Sequence, residues 1–578
     1  MNIYFIFSHQ ELEKYFSLDM KSEHKLFVFD HYSKIICLKK SIKFEAIIDK
    51  NCENVLSMED HKKLQTLLSI FDNQIKFKYK INYDFFSNYH QFITIIRFYQ
   101  FIIFTIEKII SINSKNCFFN FFLDFRKRDI TSHIVRDFEK KYPEIIINKI
   151  YISHNINFYQ SFYKDDSEVN FFKKNLKKIL SKKILNNNIK ILSYLTEKEI
   201  LISIKKTNKF NIVDFENYTS TYQNKKFRNL DFTKNINIKE YIKISSDFNS
   251  SLNYLLNNIF KLNYLFLNKS ILNLEKIFTK KKFNIFITSH PTLLSNIIKE
   301  YFLKKSLPTL TFLHGANLGH FENILPFPSY VGVHLKKYDK SYFNVFTKDF
   351  LEDFLKKNKY FHFIKKKHLT ISQSIKIKNA SDLFNNSLNL SKNNIGYFSR
   401  KEINLHLGSN INSHDFKEIY NLRKNLILFL SEIGNVNLSI SSYYNDIEYF
   451  TCKKNINNKI KKFKSLNFYY LNAKSVINLS KILIFEQFST TIVEAMTTDK
   501  FIIFYDNNLN RFYNDHLLLL KKRIIFVKSD NELFKKIDEI FNNRISNNLN
   551  FNRDFVNKFY INNNYLDIEN ILKSIICR

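Results

Sequence analysis

Hydrophobic positions in this chain follow two rhythms. Short, nearly unbroken apolar runs alternate with longer segments in which apolar residues recur every third or fourth position, the signatures of buried strands and of helices packed over them. In the first 270 residues "MNIYFIFSH", "KLFVFDHY", "CFFNFFLDF" and "EIIINKIYIS" predict strands, with helices near residues 88–112, 129–142 and 167–185. Further on the alternation is easier to read. "FNIFITSH" predicts a strand and "PTLLSNIIKEYFLKK" a helix, with Pro291 at a favourable first helical position. "PTLTFLHG", "YVGVH" and "YFNVFT" predict strands, and "KDFLEDFLKKN" a helix. A Lys/Asn/Ser-rich stretch, residues 365–391, reads as a linker. "NNIGYFSR" then opens a second series, with a helix near 415–433, strands "VNLSISSY" and "LNFYYLN", a short helix, and the strand–helix–strand of "SKILIFEQFSTTIVEAMTTDKFIIFYD". Such alternation predicts βαβ units, parallel sheets and right-handed crossovers.

Length adds a division into domains. At 578 residues the chain exceeds one ordinary core. The expected plan is an α/β lobe over 1–385, open to subdivision near 150–190, and a second α/β lobe over 386–565. A composition 45% hydrophobic and 25% charged is globular. The five cysteines are scattered without a CxxC pair, which argues for a reducing compartment and against a disulfide framework or structural zinc. The start lacks a basic region before an apolar core, so a cytoplasmic location is expected. The most membrane-like segment, residues 92–112, is interrupted by Arg97, Gln100, Glu107 and Lys108, and reads as a buried or interfacial helix.

A formal charge of +35 raises the question of nucleic acid. The basic residues are 77 lysines against 12 arginines, and the lysines are spread along the whole chain. Base readout and phosphate forks favour arginine. The bias toward Lys, Asn, Ile, Phe and Tyr is that of an AT-rich genome. No nucleic-acid partner is therefore expected, while weak attraction to an anionic membrane surface is compatible with the charge.

Candidate chemistry concentrates where glycine and proline do. All six glycines lie between Gly315 and Gly434, and Pro291, Pro308, Pro326 and Pro328 neighbour them. In α/β proteins ligands sit beyond the carboxyl ends of strands, and three strand ends carry polar residues. They are Ser289-His290-Pro291, "HGANLGH" from His314 to His320, and "FEQFSTT" from Phe485 to Thr491. Ser489 or Thr490 can cap the following helix, whose positive end would hold a phosphate, with Thr491 beside it. Glu494, one turn inside, would accept hydrogen bonds from ribose hydroxyls. His314 is the candidate base or substrate-orienting group. Gly315, Asn317 and Gly319 give the turn a backbone that a ligand can approach closely. His314 and His320 have no cysteine or third histidine nearby in sequence, so no metal is expected.

"SKILIFEQFSTTIVEAMTTDKFIIFYD" resembles the nucleotide-binding motif in the C-terminal domain of GT-B glycosyltransferases. Glu486, Ser489, Thr490, Glu494, Ala495 and Lys500 occupy the matching positions, and Glu486 and Glu494 have the acidic-x7-acidic spacing of many retaining members. The run from Ser480 suits better the compact variant of bacterial surface-polysaccharide and polyol-phosphate transferases, which leaves the stereochemical outcome open. "IGYFSRKE" resembles the first strand of the same domain, with Arg400 toward donor phosphates. "HGANLGH" is similar to the His-Gly turn at the interdomain cleft of surface-carbohydrate transferases, and His290-Pro291 to a motif of bacterial sialyltransferases. The resemblance implies two Rossmann-like lobes facing a cleft. It implies a nucleotide-sugar donor, a surface-polysaccharide or lipid-linked glycan acceptor, and no cofactor. His314, Glu486 and His290 would be the catalytic candidates. A polyol-phosphate or CMP-sugar transferase of the same fold, a catalytically dead scaffold and a basic nucleic-acid-binding protein are the rivals.

Overall fold

The computed structural model describes residues 1–18, 23–29, 31–45, 58–79, 90–113, 117–124, 129–152, 189–215, 241–242, 246–290, 292–313, 320, 338–357, 366–384, 394–399, 416–441, 447–452, 456, 466–506, 512–545, 551–561 and 567–577. Within them the apolar runs form sixteen strands in three sheets, and every strand pairing is parallel. The alternation of strand and helix thus has the expected result, an α/β fold of Rossmann-like lobes. The described residues before 385 hold two sheets, and the predicted helix at 167–185 and strand "YVGVH" lie outside the described residues.

The first sheet, in the order β2-β1-β3-β4, contains β1 (Asn2–Ile6), β2 (His24–Val28), β3 (Phe118–Asp124) and β4 (Ile146–Ile152). Its helices are α1 (His9–Phe16), α2 (His31–Lys39), the long pair α3 (Met58–Tyr79) and α4 (His90–Asn113), and α5 (Ile130–Lys141). The membrane-like segment is α4, with Ile102, Ile103 and Ile106 fully buried in the core. Among the described residues no helix is long and apolar enough to cross a membrane.

The second sheet runs β10-β9-β8-β7-β5-β6. Its strands are β5 (Ile189–Ser193), β6 (Phe210–Asp214), β7 (Ile285–Thr288), β8 (Thr309–Phe312), β9 (Ser341–Val345) and β10 (Leu369–Ile371). The helices are α6 (Lys198–Lys206), α7 (Asn249–Lys280), α8 (Leu293–Lys304), α9 (Lys348–Lys357) and α10 (Ile375–Phe384). β7, β8 and β9 are buried along their whole length, as parallel strands covered on both faces must be. The first two sheets share one core, in which Phe5, Phe121 and Ile102 join Leu255, Phe286 and Phe302.

Two expectations are corrected here. The stretch 365–391 is not a bare linker, because β10 adds to the sheet edge and α10 follows it. Ile377 and Ala380 are buried against the third lobe, and this packing overrides a polar, lysine-rich composition. Helix α8 starts at Leu293, with Thr292 and Ser295 closing a reciprocal capping box, so the cap rather than Pro291 sets its first residue.

The third sheet has the order β13-β12-β11-β14-β15-β16. It consists of β11 (Asn394–Phe398), β12 (Val436–Ser441), β13 (Leu466–Tyr470), β14 (Ile482–Phe485), β15 (Phe501–Tyr505) and β16 (Ile525–Val527). Around it lie α11 (Phe416–Ile433), α12 (Ile447–Thr451), α13 (Ala473–Leu479), α14 (Thr490–Met496), α15 (Asn514–Lys521) and α16 (Asp530–Phe541). Numbered within the lobe this is 3-2-1-4-5-6, the doubly wound dinucleotide-binding order. Gly396 lets β11 approach α13, since a Cβ there would lie 2.6 Å from Val476 Cγ1 and 2.7 Å from Ser480 Oγ. After α17 (Asp554–Phe559), helix α18 (Ile568–Ile576) returns to the second sheet, where Ile568, Ile571 and Leu572 cover Ile191, Ile285 and Leu310.

Strand order places the crevices. Chain direction across the second sheet reverses between β5 and β7, and across the third between β11 and β14. Side chains beyond the carboxyl ends of these four strands are where a doubly wound sheet holds ligands.

Candidate functional site

In the second lobe the switch point is built around a strained residue. Leu195, just past β5, has φ 48°, a left-handed conformation that a branched side chain rarely adopts. Its carbonyl accepts from the Ser289 backbone N–H at 3.2 Å and lies 2.9 Å from His290 Nδ1. A carbonyl only accepts, so Nδ1 carries a proton in this bond. The turn is further tied by Ser295 Oγ donating to the His290 carbonyl at 2.8 Å and by the Glu197 backbone N–H donating to Ser289 Oγ at 3.2 Å. His290 is therefore a half-buried imidazole held in one orientation at a strand end.

In the third lobe Glu486 ends β14, but its carboxylate turns inward. Arg423 on α11 donates from Nε to Oε1 at 2.6 Å and from a terminal nitrogen to Oε2 at 2.7 Å. The Tyr397 hydroxyl adds a bond to Oε1 at 2.6 Å, and Arg423 also donates to the Phe450 carbonyl at 3.0 Å. Glu486 and Arg423 are 1% and 0% exposed. Burial, and then the Glu486 charge, push the Tyr397 hydroxyl well above its ordinary range, so it remains a donor. Both carboxylate oxygens are engaged inside the lobe, and the bonds tie α11 and β11 to the end of β14.

Ser489 has the backbone of an N-cap for α14, yet its hydroxyl makes no capping bond, unlike the expectation. Ser489, Thr490 and Thr491 are half-buried at the mouth of the helix. This short helix is secured at its other end by two cations, with Arg523 donating to the Thr498 and Lys500 carbonyls at 2.8 and 2.9 Å and Arg553 to the Met496 carbonyl. Glu494 is buried and lies 2.9 Å from the ammonium of Lys376 on α10. Burial raises the Glu494 carboxyl, and Lys376 and Lys474 oppose that shift.

These two edges face one another. Lys474 in the first turn of α13 lies 3.8 Å from Glu199 in the first turn of α6, joining the carboxyl side of the third sheet to that of the second. Helix α10 packs on both α6 and α14. Burial opposes the charge of Lys376, but Glu494 first and then Glu197 and Glu199 outweigh it and raise its pKa. His290 is thus held by the turn that leads into α6, and Glu494 by the helix that packs on both α6 and α14.

His314, Gly315, Asn317, Gly319 and Arg400 lie outside the described residues. The ends of the segment that carries the first four are nevertheless placed. Leu313 is hydrogen-bonded to β9, its N–H donating to the Asn344 carbonyl at 3.0 Å. The carbonyl of His320 accepts from the Tyr513 N–H of the third lobe at 3.2 Å. The His320 ring is fully buried among Phe350, Phe488, Phe555 and Phe559, with Nδ1 3.0 Å from His516 Nδ1 and Nε2 bonded to the Tyr560 hydroxyl. Leu313 is thus tied to the second sheet and His320 to the third lobe. Asp353, Asp515 and His516 gather their ligand atoms within 4.8 Å of one another. Lys357 sits among them, 2.7 Å from each carboxylate and 2.8 Å from His516 Nε2, so the cation there is the chain's own.

Sequence reading missed Arg423, Lys376, Lys474 and Glu199. Arg423 left a trace, a scarce arginine on the apolar stripe of α11 with Ile419, Leu426 and Leu430. Lys376 and Lys474 are ordinary members of a lysine-rich chain, and only their tertiary partners distinguish them.

No protein-family model and no curated protein sequence matches the chain. Among solved structures it is similar to the UDP-GlcNAc 2-epimerase from Methanocaldococcus jannaschii, at 14% identity and TM-score 0.41 over 68% of this chain and 100% of that one. It is also similar to the UDP-GlcNAc 2-epimerase from Neisseria meningitidis bound to UDP-GlcNAc, at 10% identity and TM-score 0.38 over 68% and 100%. A third likeness is to Arabidopsis thaliana UGT89C1 complexed with UDP, at 11% identity and TM-score 0.39 over 70% and 96%.

Proposed function

We propose that the chain is a GT-B-like glycosyltransferase that moves a sugar from a nucleotide-activated donor to a surface-polysaccharide or lipid-linked glycan acceptor. The observation that carries this reading is the Lys474–Glu199 pair, which brings the carboxyl edge of the second sheet to that of a 3-2-1-4-5-6 lobe. The third lobe would hold the donor. Arg400 and the hydroxyls of Ser489, Thr490 and Thr491 would bind its phosphates with the first N–H groups of α14, which neutralises their charge without a metal. Glu494 would accept from the ribose. On the facing side His314 would take the acceptor hydroxyl proton as that oxygen attacks the anomeric carbon and the bond to the phosphate oxygen breaks, releasing the nucleotide. His290, oriented by Leu195, would position the acceptor. The basic surface would keep the protein near an anionic membrane carrying the acceptor.

Thermal-shift and calorimetric screening against UDP-, GDP-, CMP- and CDP-linked compounds tests the donor. A response confined to CMP or CDP compounds would favour the CMP-sugar or polyol-phosphate rival. With the donor known, His314→Ala should lower turnover by about 10²–10⁴-fold with donor affinity nearly unchanged. Normal turnover in a folded His314→Ala protein would remove that residue from the chemistry.

A further inference from the structure

We infer that Lys376 is a second ligand contact, reaching from α10 to form with Glu494 a two-handed clamp for the vicinal diol of a ribose. The inference rests on the proposed donor site in the third lobe and adds a residue from outside the strand–helix motif that defines it.

The pair is incompletely used. The Lys376 ammonium lies 2.9 Å from Glu494 Oε1 as a direct ion pair. Glu494 Oε2 accepts no hydrogen bond from any described residue, and the ammonium has no other partner among them. The Glu494 side chain is 4% exposed and that of Lys376 is 29% exposed, so the lysine is the open half of the pair. Charges around it alternate in sign. Lys376 stands between Glu494 on α14 and Glu197 and Glu199 at the start of α6, and Glu494 between Lys376 and Lys474 on α13. The ammonium thus retains its charge and the carboxylate has a cation on each side, while hydrogen-bonding capacity remains on both.

A vicinal diol matches that capacity. One hydroxyl donates to the carboxylate, and the neighbouring oxygen accepts from the ammonium. A deoxy sugar leaves one of these buried or half-buried charges without its partner, a loss that a site built on hydrogen bonds discriminates strongly. Because α10 packs on both α6 and α14, the lysine is carried on the helix wedged between the lobes rather than on the nucleotide lobe itself.

The test compares UDP, GDP and CDP with their 2′-deoxy and 3′-deoxy forms by calorimetry, on wild type, Lys376→Met, Lys376→Arg and Glu494→Gln. Wild type should prefer the ribonucleotide by about tenfold or more. Lys376→Met and Glu494→Gln should each abolish most of that preference, and Lys376→Arg should restore part of it. A merely structural role for Lys376 would lower melting temperature and leave the ribo-to-deoxy ratio intact. Retention of the ratio in Lys376→Met with its loss in Glu494→Gln overturns the role of Lys376 and spares the donor site. Absence of nucleotide binding by folded wild type overturns both. Absence of any ribose preference in a wild type that binds nucleotide overturns the clamp alone. Lys376→Gln replaces the Met variant should that one fail to fold.

Discussion

Arg423 grips Glu486 by two parallel bonds inside the third lobe, Nε to Oε1 at 2.6 Å and a terminal nitrogen to Oε2 at 2.7 Å. The pair joins α11 to the end of β14, and Tyr397 brings in β11, so all three elements that meet at the switch point converge on one carboxylate. Neither ion reaches water, which makes the pair costly to break and of little net stabilising value when intact.

Arg423→Met alone should therefore lower stability by about 3–5 kcal/mol, because it strands a buried carboxylate. Arg423→Met combined with Glu486→Leu should recover much of that loss. Denaturant unfolding of the single and double variants decides it. A loss below about 1 kcal/mol for Arg423→Met would show that water reaches Glu486.

Lys299 on α8 poses the opposite case. It is 2% exposed, with no ion-pair or hydrogen-bond partner among the described residues, and burial pushes its ammonium down to about 7 from an ordinary 10.5. Between those two values the unfolded chain binds more protons at this position than the native one. Stability should accordingly rise with pH across that window, and the penalty should be complete below about pH 7. Lys299→Met should stabilise the protein by on the order of 3–5 kcal/mol at neutral or lower pH. The gain should shrink toward zero above pH 10.5. Unfolding free energies of both proteins at several pH values test this. A gain that does not vary with pH would mean that the lysine is neutral or solvated throughout.

Gly396 holds the spacing between β11 and α13. An alanine Cβ would meet Val476 Cγ1 at 2.6 Å, Ser480 Oγ at 2.7 Å and Leu483 Cδ2 at 2.9 Å, all in a fully packed layer. Gly396→Ala should cost about 1–3 kcal/mol by overpacking. Adding Val476→Ala should return part of it, since the two sites share one space. A wild-type melting temperature for Gly396→Ala would show that α13 can move aside.

Pattern alone determined a good deal about this protein. Runs such as "FNIFITSH" and "SKILIFEQ" are apolar without alternation because parallel strands are covered on both faces, so strand, crossover helix and parallel pairing could be read locally. The same reading brought Ser289-His290 and Ser489-Thr490-Thr491 to strand ends, since polarity at the close of an apolar run is itself local. Tertiary structure alone decided the rest. Whether residues before 385 make one sheet or two depends on which strands pair, and pairing is a contact between distant segments. Residues 365–391 look like a linker until Ile377 and Ala380 find the third lobe to cover them. Glu486 and Glu494 are one residue type eight positions apart, yet one is locked by Arg423 and the other faces Lys376 across the lobes. A side chain's charge partner is chosen by the fold, because electrostatic and packing energies depend on separation in space and carry no mark in the sequence between.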